Sequence, residues 1–279
     1  MKFKKIAIVG IGLVGGSLGL SIKRKKLAQK VIGIVHHKKT IKEALNLKAV
    51  DKATLNLKDI KDADLIILAT PVNIILRQLP LILNYAKENT LIIDVGSTKN
   101  KIIKLAEKLM PSNKKIDFIG THPLAGSEKK GLYFAKIDLF KNSLCILVPT
   151  KFTKKENLEK IKTFWRALGA DTKTINAKKH DEILSFTSHL PHLVSFALMD
   201  SMPAKYLNFS ASGLKDTTRL SSSDALVWQD IFFSNKENLI KAIANFEKSL
   251  KELKNKISAS DKTLLNKLKS IKRKKESIL

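Results

Sequence analysis

The run Gly10-Ile11-Gly12-Leu13-Val14-Gly15 follows directly on the apolar stretch Ile6 to Val9 and opens a helix-like segment through Leu18, Leu20 and Ile22. Three glycines at this spacing, between a strand and a helix, are what a dinucleotide-binding turn requires. The first permits a tight turn, the second lets backbone N–H groups approach a pyrophosphate, and the third lets helix and strand pack closely. Gly10, Gly12, Leu13, Val14 and Gly15 are therefore candidate cofactor-binding residues.

The chain around this turn has the matching rhythm. From Lys5 to Val148, short apolar runs (Ile6 to Val9, Val31 to Val35, Leu65 to Ala69, Leu91 to Val95, Phe118 to Gly120, Leu144 to Val148) alternate with longer helix-like segments. Such alternation predicts βα units wound on both faces of a buried parallel sheet. Lys154 to Leu168 has helical spacing, ends at the plausible cap Gly169, and is expected to pack on the sheet's edge. After about Asn176 the strand-like runs give way to helical patterns over Asp181 to Met202, Asp224 to Phe233, Asn238 to Lys256 and Lys262 to Ser277. The expected architecture is an α/β Rossmann-type domain over residues 1–175, followed by an all-α domain over 176–279.

Composition narrows the function classes. The formal charge is +27, but the excess is nearly all lysine and scattered through every segment, with arginine only at positions 24, 77, 166, 219 and 273. No aromatic platform is interleaved with it, so a compositional bias fits better than a nucleic-acid groove. The positive field would favour anionic cofactors and carboxylate substrates. Cys145, the single cysteine, lies in the apolar run Leu144 to Val148 and reads as a buried strand residue. Neither a leader pattern nor an apolar run long enough for a membrane span is present, which points to a cytoplasmic location. No His/Cys/Asp cluster has metal-ligand spacing, so no metal is expected.

The fingerprint calls for a carboxylate about 20 residues on to hold a ribose 2′-hydroxyl. Here the second strand ends at Val35 and is followed by His36, His37, Lys38 and Lys39. A basic cluster without a carboxylate favours NADP over NAD, with His36 and His37 as candidate contacts. Thr70-Pro71 and the Asp94-Val95-Gly96-Ser97-Thr98-Lys99 run end two further strands. In an open parallel sheet these loops border the ligand, so Thr70, Pro71 and Ser97 join the cofactor set. His122, in Gly120-Thr121-His122-Pro123-Leu124-Ala125-Gly126-Ser127, follows another strand and is expected to face the same cleft. There a neutral imidazole could take a hydroxyl proton as the carbinol carbon loses hydride.

Four motifs, Gly96-Ser97-Thr98-Lys99, His122-Pro123-Leu124-Ala125-Gly126, Ser188-His189-Leu190-Pro191-His192 and Lys215-Asp216-Thr217-Thr218-Arg219, occur in the order found in prephenate and arogenate dehydrogenases, with Trp228-Gln229-Asp230-Ile231 after them. The sequence resembles that family from Gly10 to about Phe246. It departs at Ser212 and Leu214, where the family often has glycine and phenylalanine, at Ala225, where proline is frequent, and at Gln229, where arginine is frequent. These departures bear on substrate preference rather than reaction class. The resemblance implies oxidative decarboxylation of a cyclohexadienol, with prephenate the first expectation and arogenate the alternative. It implies His122 as acceptor for the ring hydroxyl, Ser97 orienting both His122 and the nicotinamide, and Arg219 as the carboxylate-binding group, a role suited to a planar guanidinium. His192, Ser127, Glu128 and Trp228 would complete the substrate pocket, Asp216 would gate it or pair with basic groups, and His189 would be a core histidine. It also implies that the helical domain over 176–279 serves substrate binding and dimerisation, with a homodimer built through it.

Two competitors are weaker. A hydroxyacid dehydrogenase would want a catalytic lysine in the first long helix of the second domain, and Asp181 to Met202 has none. A basic Rossmann protein that binds nucleic acid without turnover gives no reason for the His122 and Arg219 motifs. At 279 residues, two ordinary domains fill the length, so a monofunctional enzyme is expected.

Overall fold

The computed structural model describes residues 2–110, 115–126 and 129–277. The chain divides into two compact units, Met1–Asn235 and Lys236–Leu279.

In the first unit the elements run β1 (Phe3–Val9), α1 (Leu13–Arg24), β2 (Ala28–Ile34), α2 (Lys38–Asn46), β3 (Lys52–Thr54), β4 (Leu65–Leu68), α3 (Val72–Tyr85), β5 (Leu91–Asp94), α4 (Asn100–Leu109), β6 (Asp117–Pro123), β7 (Leu144–Pro149), α5 (Lys155–Ala167), β8 (Asp171–Thr174), α6 (Ala177–Leu184), α7 (Leu190–Asp200), α8 (Ser212–Thr218) and α9 (Ala225–Ser234). The strands form one eight-stranded sheet in the order β3-β2-β1-β4-β5-β6-β7-β8. Chain order reverses between β1 and β4, which places a ligand crevice at the carboxyl ends of those two strands.

Period-two alternation divides the apolar residues between the two faces. Ile6 and Ile8 of β1 face Leu18 and Ile22 of α1, together with Phe164 and Trp165 of α5. Ala7 and Val9 face the other way, into the layer that holds Ile75 and Leu79 of α3, Ile102 of α4 and Leu184 of α6. Helix α5 therefore lies on a sheet face and not on its edge as expected. Its Phe164 meets Phe3 edge-on at 6.2 Å between ring centroids. Cys145 is buried on β7, where desolvation pushes its thiol well above the usual range.

The sheet is parallel except where β7 runs antiparallel to β6. This exception positions His122. Strand β5 pairs with β6 only as far as Asp94 with Gly120, whereas β7 continues the pairing through Thr121, His122 and Pro123. A strand returning from the opposite direction supports β6 past the rim of its parallel neighbour, so His122 sits on a strand and not in the loop expected for it. The short strands β3 and β8 were not legible as apolar runs, because Lys52–Thr54 and Asp171–Thr174 are polar or half-exposed edge segments.

Between α6 and α7 the helix widens into a π turn over Ser185–His189. Pro191 lacks the N–H that an unbroken α-helix would donate to the Thr187 carbonyl, and its ring would crowd that carbonyl. One extra residue in the turn relieves both problems and rotates the helix that follows. The run containing Arg219 forms α8 and a 3-10 turn over Arg219–Ser222.

The second unit is a pair of helices, α10 (Lys236–Ser258) and α11 (Leu264–Glu276), joined by a short connection. The ion pair Lys267–Glu252 links them, and Lys256 of α10 pairs with Asp261 in the connection. No helix among the described residues is long and apolar enough to cross a membrane.

Candidate active site

The turn after β1 has the backbone a dinucleotide needs. Gly10 has φ +94°, a conformation that side chains disfavour, and a Cβ there would meet the Ala69 carbonyl oxygen at 2.7 Å. At Gly15 a Cβ would lie 1.9 Å from the Gly10 carbonyl oxygen, so helix and turn could not approach as they do. At Gly12 a Cβ would meet nothing within 4 Å, because this residue faces a cavity. No side chain caps α1, and its first turn carries no acidic residue. Its leading N–H groups and positive dipole end are thus available to an anion. These features fit a dinucleotide pyrophosphate.

The cavity, of about 860 Å³, is lined by Gly12, Leu13, Val14, Thr70, Pro71, Ser97, His122, His192, Arg219 and Trp228, among others. Most of the residues named from the sequence therefore meet in one place. Gly10 and Gly15 shape the turn from behind without lining the cavity. His36 and His37 are exposed at the end of β2 and the start of α2, outside the lining, and α2 has no acidic residue in its first turn. Asp216 is exposed on α8 and also lies outside the lining. Ser127 and Glu128 lie outside the described residues. Among the described residues no group of three or more His, Cys, Asp or Glu side chains is placed to hold a metal.

His122, on β6, presents a half-buried ring to the cavity. Its Nδ1 lies 2.9 Å from Nε2 of His180, on α6. His180 is fully buried, and its Nδ1 lies 2.7 Å from Oδ1 of Asp181. Asp181 accepts the backbone N–H of Lys99 at 2.8 Å and of Asn100 at 2.9 Å, so its carboxylate caps α4. Burial lowers the pKa of His122 well below the ordinary histidine value, and the nearby His180, Lys99 and His189 lower it further. Burial lowers His180 as well, though the hydrogen bond to Asp181 opposes the shift. Burial alone would raise Asp181, but the His180 bond and the two backbone N–H groups hold it below the usual carboxylate value. The ground state near neutral pH is two neutral imidazoles and one carboxylate.

The loop carrying Ser97 is braced from below. Lys99 and Asp94, both with no exposed side-chain surface, form an ion pair at 2.6 Å. The Lys99 Nζ also donates to the carbonyls of Gly96 at 2.6 Å and Thr98 at 3.2 Å. On the opposite wall, His192 stacks on Trp228 with centroids 3.5 Å apart and planes 21° apart. Its Nδ1 donates to the Ser188 carbonyl at 2.9 Å, which fixes the ring over the cavity. Asp230 of α9 accepts the Asn73 N–H at the start of α3, tying the helix that bears Trp228 to the Rossmann elements. His189 makes a 3.1 Å contact to the Asn235 amide nitrogen, and burial lowers its pKa to about 4.

Sequence reasoning missed His180 and Asp181 as site residues. They stand in the polar run Lys178-Lys179-His180-Asp181-Glu182, which reads as solvated surface. One signal was available: His180 precedes the apolar Leu184 by four residues, so both lie on the same helix face, and both are buried.

The chain matches two family models in succession: "Prephenate dehydrogenase, nucleotide-binding domain" over residues 18–174, and "Prephenate dehydrogenase, dimerization domain" over 176–270. Prephenate dehydrogenase of Bacillus subtilis is 32% identical over 264 residues, covering 92% of this chain and 71% of that protein. Cyclohexadienyl dehydrogenase of Zymomonas mobilis is 30% identical, covering 93% of this chain and 90% of that one. The crystal structure of Aquifex aeolicus prephenate dehydrogenase with hydroxyphenyl propionate and NAD+ superposes with TM-score 0.90 at 32% identity, covering 100% of this chain and 99% of that chain. With a dinucleotide turn, His122 and Arg219 gathered on one cavity, and with both family domains matched, the chain belongs to the prephenate dehydrogenase family.

Proposed function

We propose that this protein catalyses the NAD(P)+-dependent oxidative decarboxylation of prephenate to 4-hydroxyphenylpyruvate. The observation that carries the reading is the shared cavity: the glycine turn, His122 and Arg219 line one volume, about 860 Å³, of a size that suits a nicotinamide and a small dicarboxylate together. Gly12, Leu13 and Val14 would hold the pyrophosphate, and Thr70, Pro71 and Ser97 would border the nicotinamide. When bound, the dinucleotide supplies the acceptor for the hydride that leaves the ring carbon bearing the hydroxyl.

This chain's own residues do the rest. Arg219 binds a substrate carboxylate and sets the ring's orientation. His122 accepts the hydroxyl proton as the carbon–hydrogen bond breaks. The C–C bond to the ring carboxylate then releases CO₂, its electron pair enters the ring, and the oxygen recovers a proton as the ring becomes aromatic. His192, stacked on Trp228 and held by the Ser188 carbonyl, forms a rigid wall against which the substrate can lie. We take residue 175 as the boundary between the cofactor-binding and helical domains, supported by the meeting of the two family models there. The helical region carries a dimerisation-domain match, and we infer a homodimer built through it.

For the cofactor, His36, His37, Lys38 and Lys39 with no acidic residue in the first turn of α2 support NADP over NAD. Steady-state kinetics with prephenate and with arogenate, each with NAD+ and NADP+, tests the whole reading. Turnover of prephenate with NADP+ is expected. Turnover of arogenate alone, or use of NAD+ alone, would overturn the corresponding part.

A further inference from the structure

We propose that His180 and Asp181 act as positioning residues that hold His122 in the tautomer with its proton on Nδ1, leaving Nε2 as the lone-pair acceptor for substrate. The inference rests on the reading of His122 as proton acceptor, and it follows from donor and acceptor counting along a buried chain. Asp181 is an ionised carboxylate that already accepts two backbone N–H groups, so it can only accept from His180. His180 Nδ1, 2.7 Å away, must therefore carry a proton. A neutral imidazole has one donor and one acceptor, so His180 Nε2 is an acceptor. His122 Nδ1, 2.9 Å from it, must then be the donor. The remaining nitrogen of His122, Nε2, is left with its lone pair on a ring that lines the cavity.

The same chain serves the reaction. When the substrate hydroxyl gives its proton to Nε2, His122 becomes an imidazolium. Its Nδ1–H remains bonded to His180, whose far nitrogen is bonded to the Asp181 carboxylate, so the new positive charge forms at one end of an oriented polar chain ending in a negative one. The charged neighbours that oppose this charge are Lys99, on the loop after β5, and the Asp94–Lys99 pair is itself neutral overall. His189, on the π turn, is kept neutral by burial. Asp181 is fixed because its two other bonds are to the backbone at the start of α4, so the orientation of His122 is anchored to a helix terminus and not to a mobile side chain.

The test reads the tautomer directly and separately from turnover. The chain has six histidines, so a long-range proton–nitrogen correlation spectrum of the wild-type protein at neutral pH can be assigned for His122 by the loss of its signals in His122→Asn. The expected pattern is a protonated Nδ1 and an unprotonated Nε2. His180→Leu removes the acceptor and should shift His122 to a mixture of tautomers, lowering kcat by roughly 10- to 100-fold with KM for prephenate changed less than about threefold. His180→Gln, whose amide oxygen can still accept from Nδ1, should recover most of the Nδ1–H population and part of kcat. If wild-type His122 carries its proton on Nε2, or if its tautomer is the same in His180→Leu, the positioning role is overturned whatever happens to activity. If the tautomer changes as expected while kcat does not, the positioning holds and it is the reading of His122 as proton acceptor that fails.

Discussion

Lys99→Met gives the sharpest stability test of the site's foundations. The methionine keeps the stem that packs beneath Gly120, where even a Cβ would lie 2.9 Å from Lys99 Cδ, and removes only the ammonium. Asp94 then keeps the Gly96 N–H at 2.8 Å but loses its countercharge at 2.6 Å, and the Gly96 and Thr98 carbonyls lose their donor. Breaking a buried pair by deleting one partner costs about 3–5 kcal/mol, because the other charge remains desolvated. For a chain of this size that corresponds to a fall in Tm of roughly 6 to 20 °C. Asp94→Asn/Lys99→Met, which removes both charges while retaining an acceptor for Gly96, should recover more than about 1 kcal/mol of the loss. The deficit of the single variant should also shrink as pH falls, since a protonated carboxyl needs no countercharge. Thermal unfolding monitored by circular dichroism at pH 5 and pH 7.5 measures all three quantities. A single variant within about 1 kcal/mol of wild type, or a double variant no more stable than the single one, would show that the pair does not hold this loop.

Arg219→Ala should chiefly raise KM and lose on the order of 30-fold or more in kcat/KM, the effect of removing a charged contact worth about 2–5 kcal/mol. His122→Asn should chiefly lower kcat, by roughly 10² to 10⁴, and equal losses of KM and kcat in the two variants would refute the division of roles. Gly15→Ala should weaken NAD(P)+ binding in a calorimetric titration and cost about 1–3 kcal/mol of stability, since its Cβ would press on the Gly10 carbonyl; unchanged affinity would remove the glycine turn from the cofactor site. Because the folded-state pKa of His189 is about 4 against an ordinary 6.5, the unfolded chain binds a proton there that the folded one does not. Stability should therefore be full above about pH 6.5 and fall as pH drops toward 4, with about 3 kcal/mol from this residue alone. His189→Leu should flatten that fall, and an equally steep acid limb would assign it elsewhere.

The sequence by itself determined the architecture and the reaction class. Alternating apolar runs and helix-length segments admit few solutions other than a doubly wound sheet, and Gly10 and Gly15 are demanded by a backbone that a Cβ at either position would clash with. Ser97 and His122 pointed to one cleft because strand ends in such a sheet share an edge, and the family resemblance added His192 and Arg219 to it. Tertiary structure decided what periodicity cannot encode. The direction of β7 depends on long-range pairing, and only that direction carries His122 past the end of β5. The fold gave the Lys178–Glu182 run its second character: Lys178, Lys179 and Glu182 stay exposed, while His180 and Asp181 between them are buried because Asp181 could cap α4 and His180 could reach His122. Those bonds join residues 58 to 82 positions apart, and no local pattern records a partner at that distance.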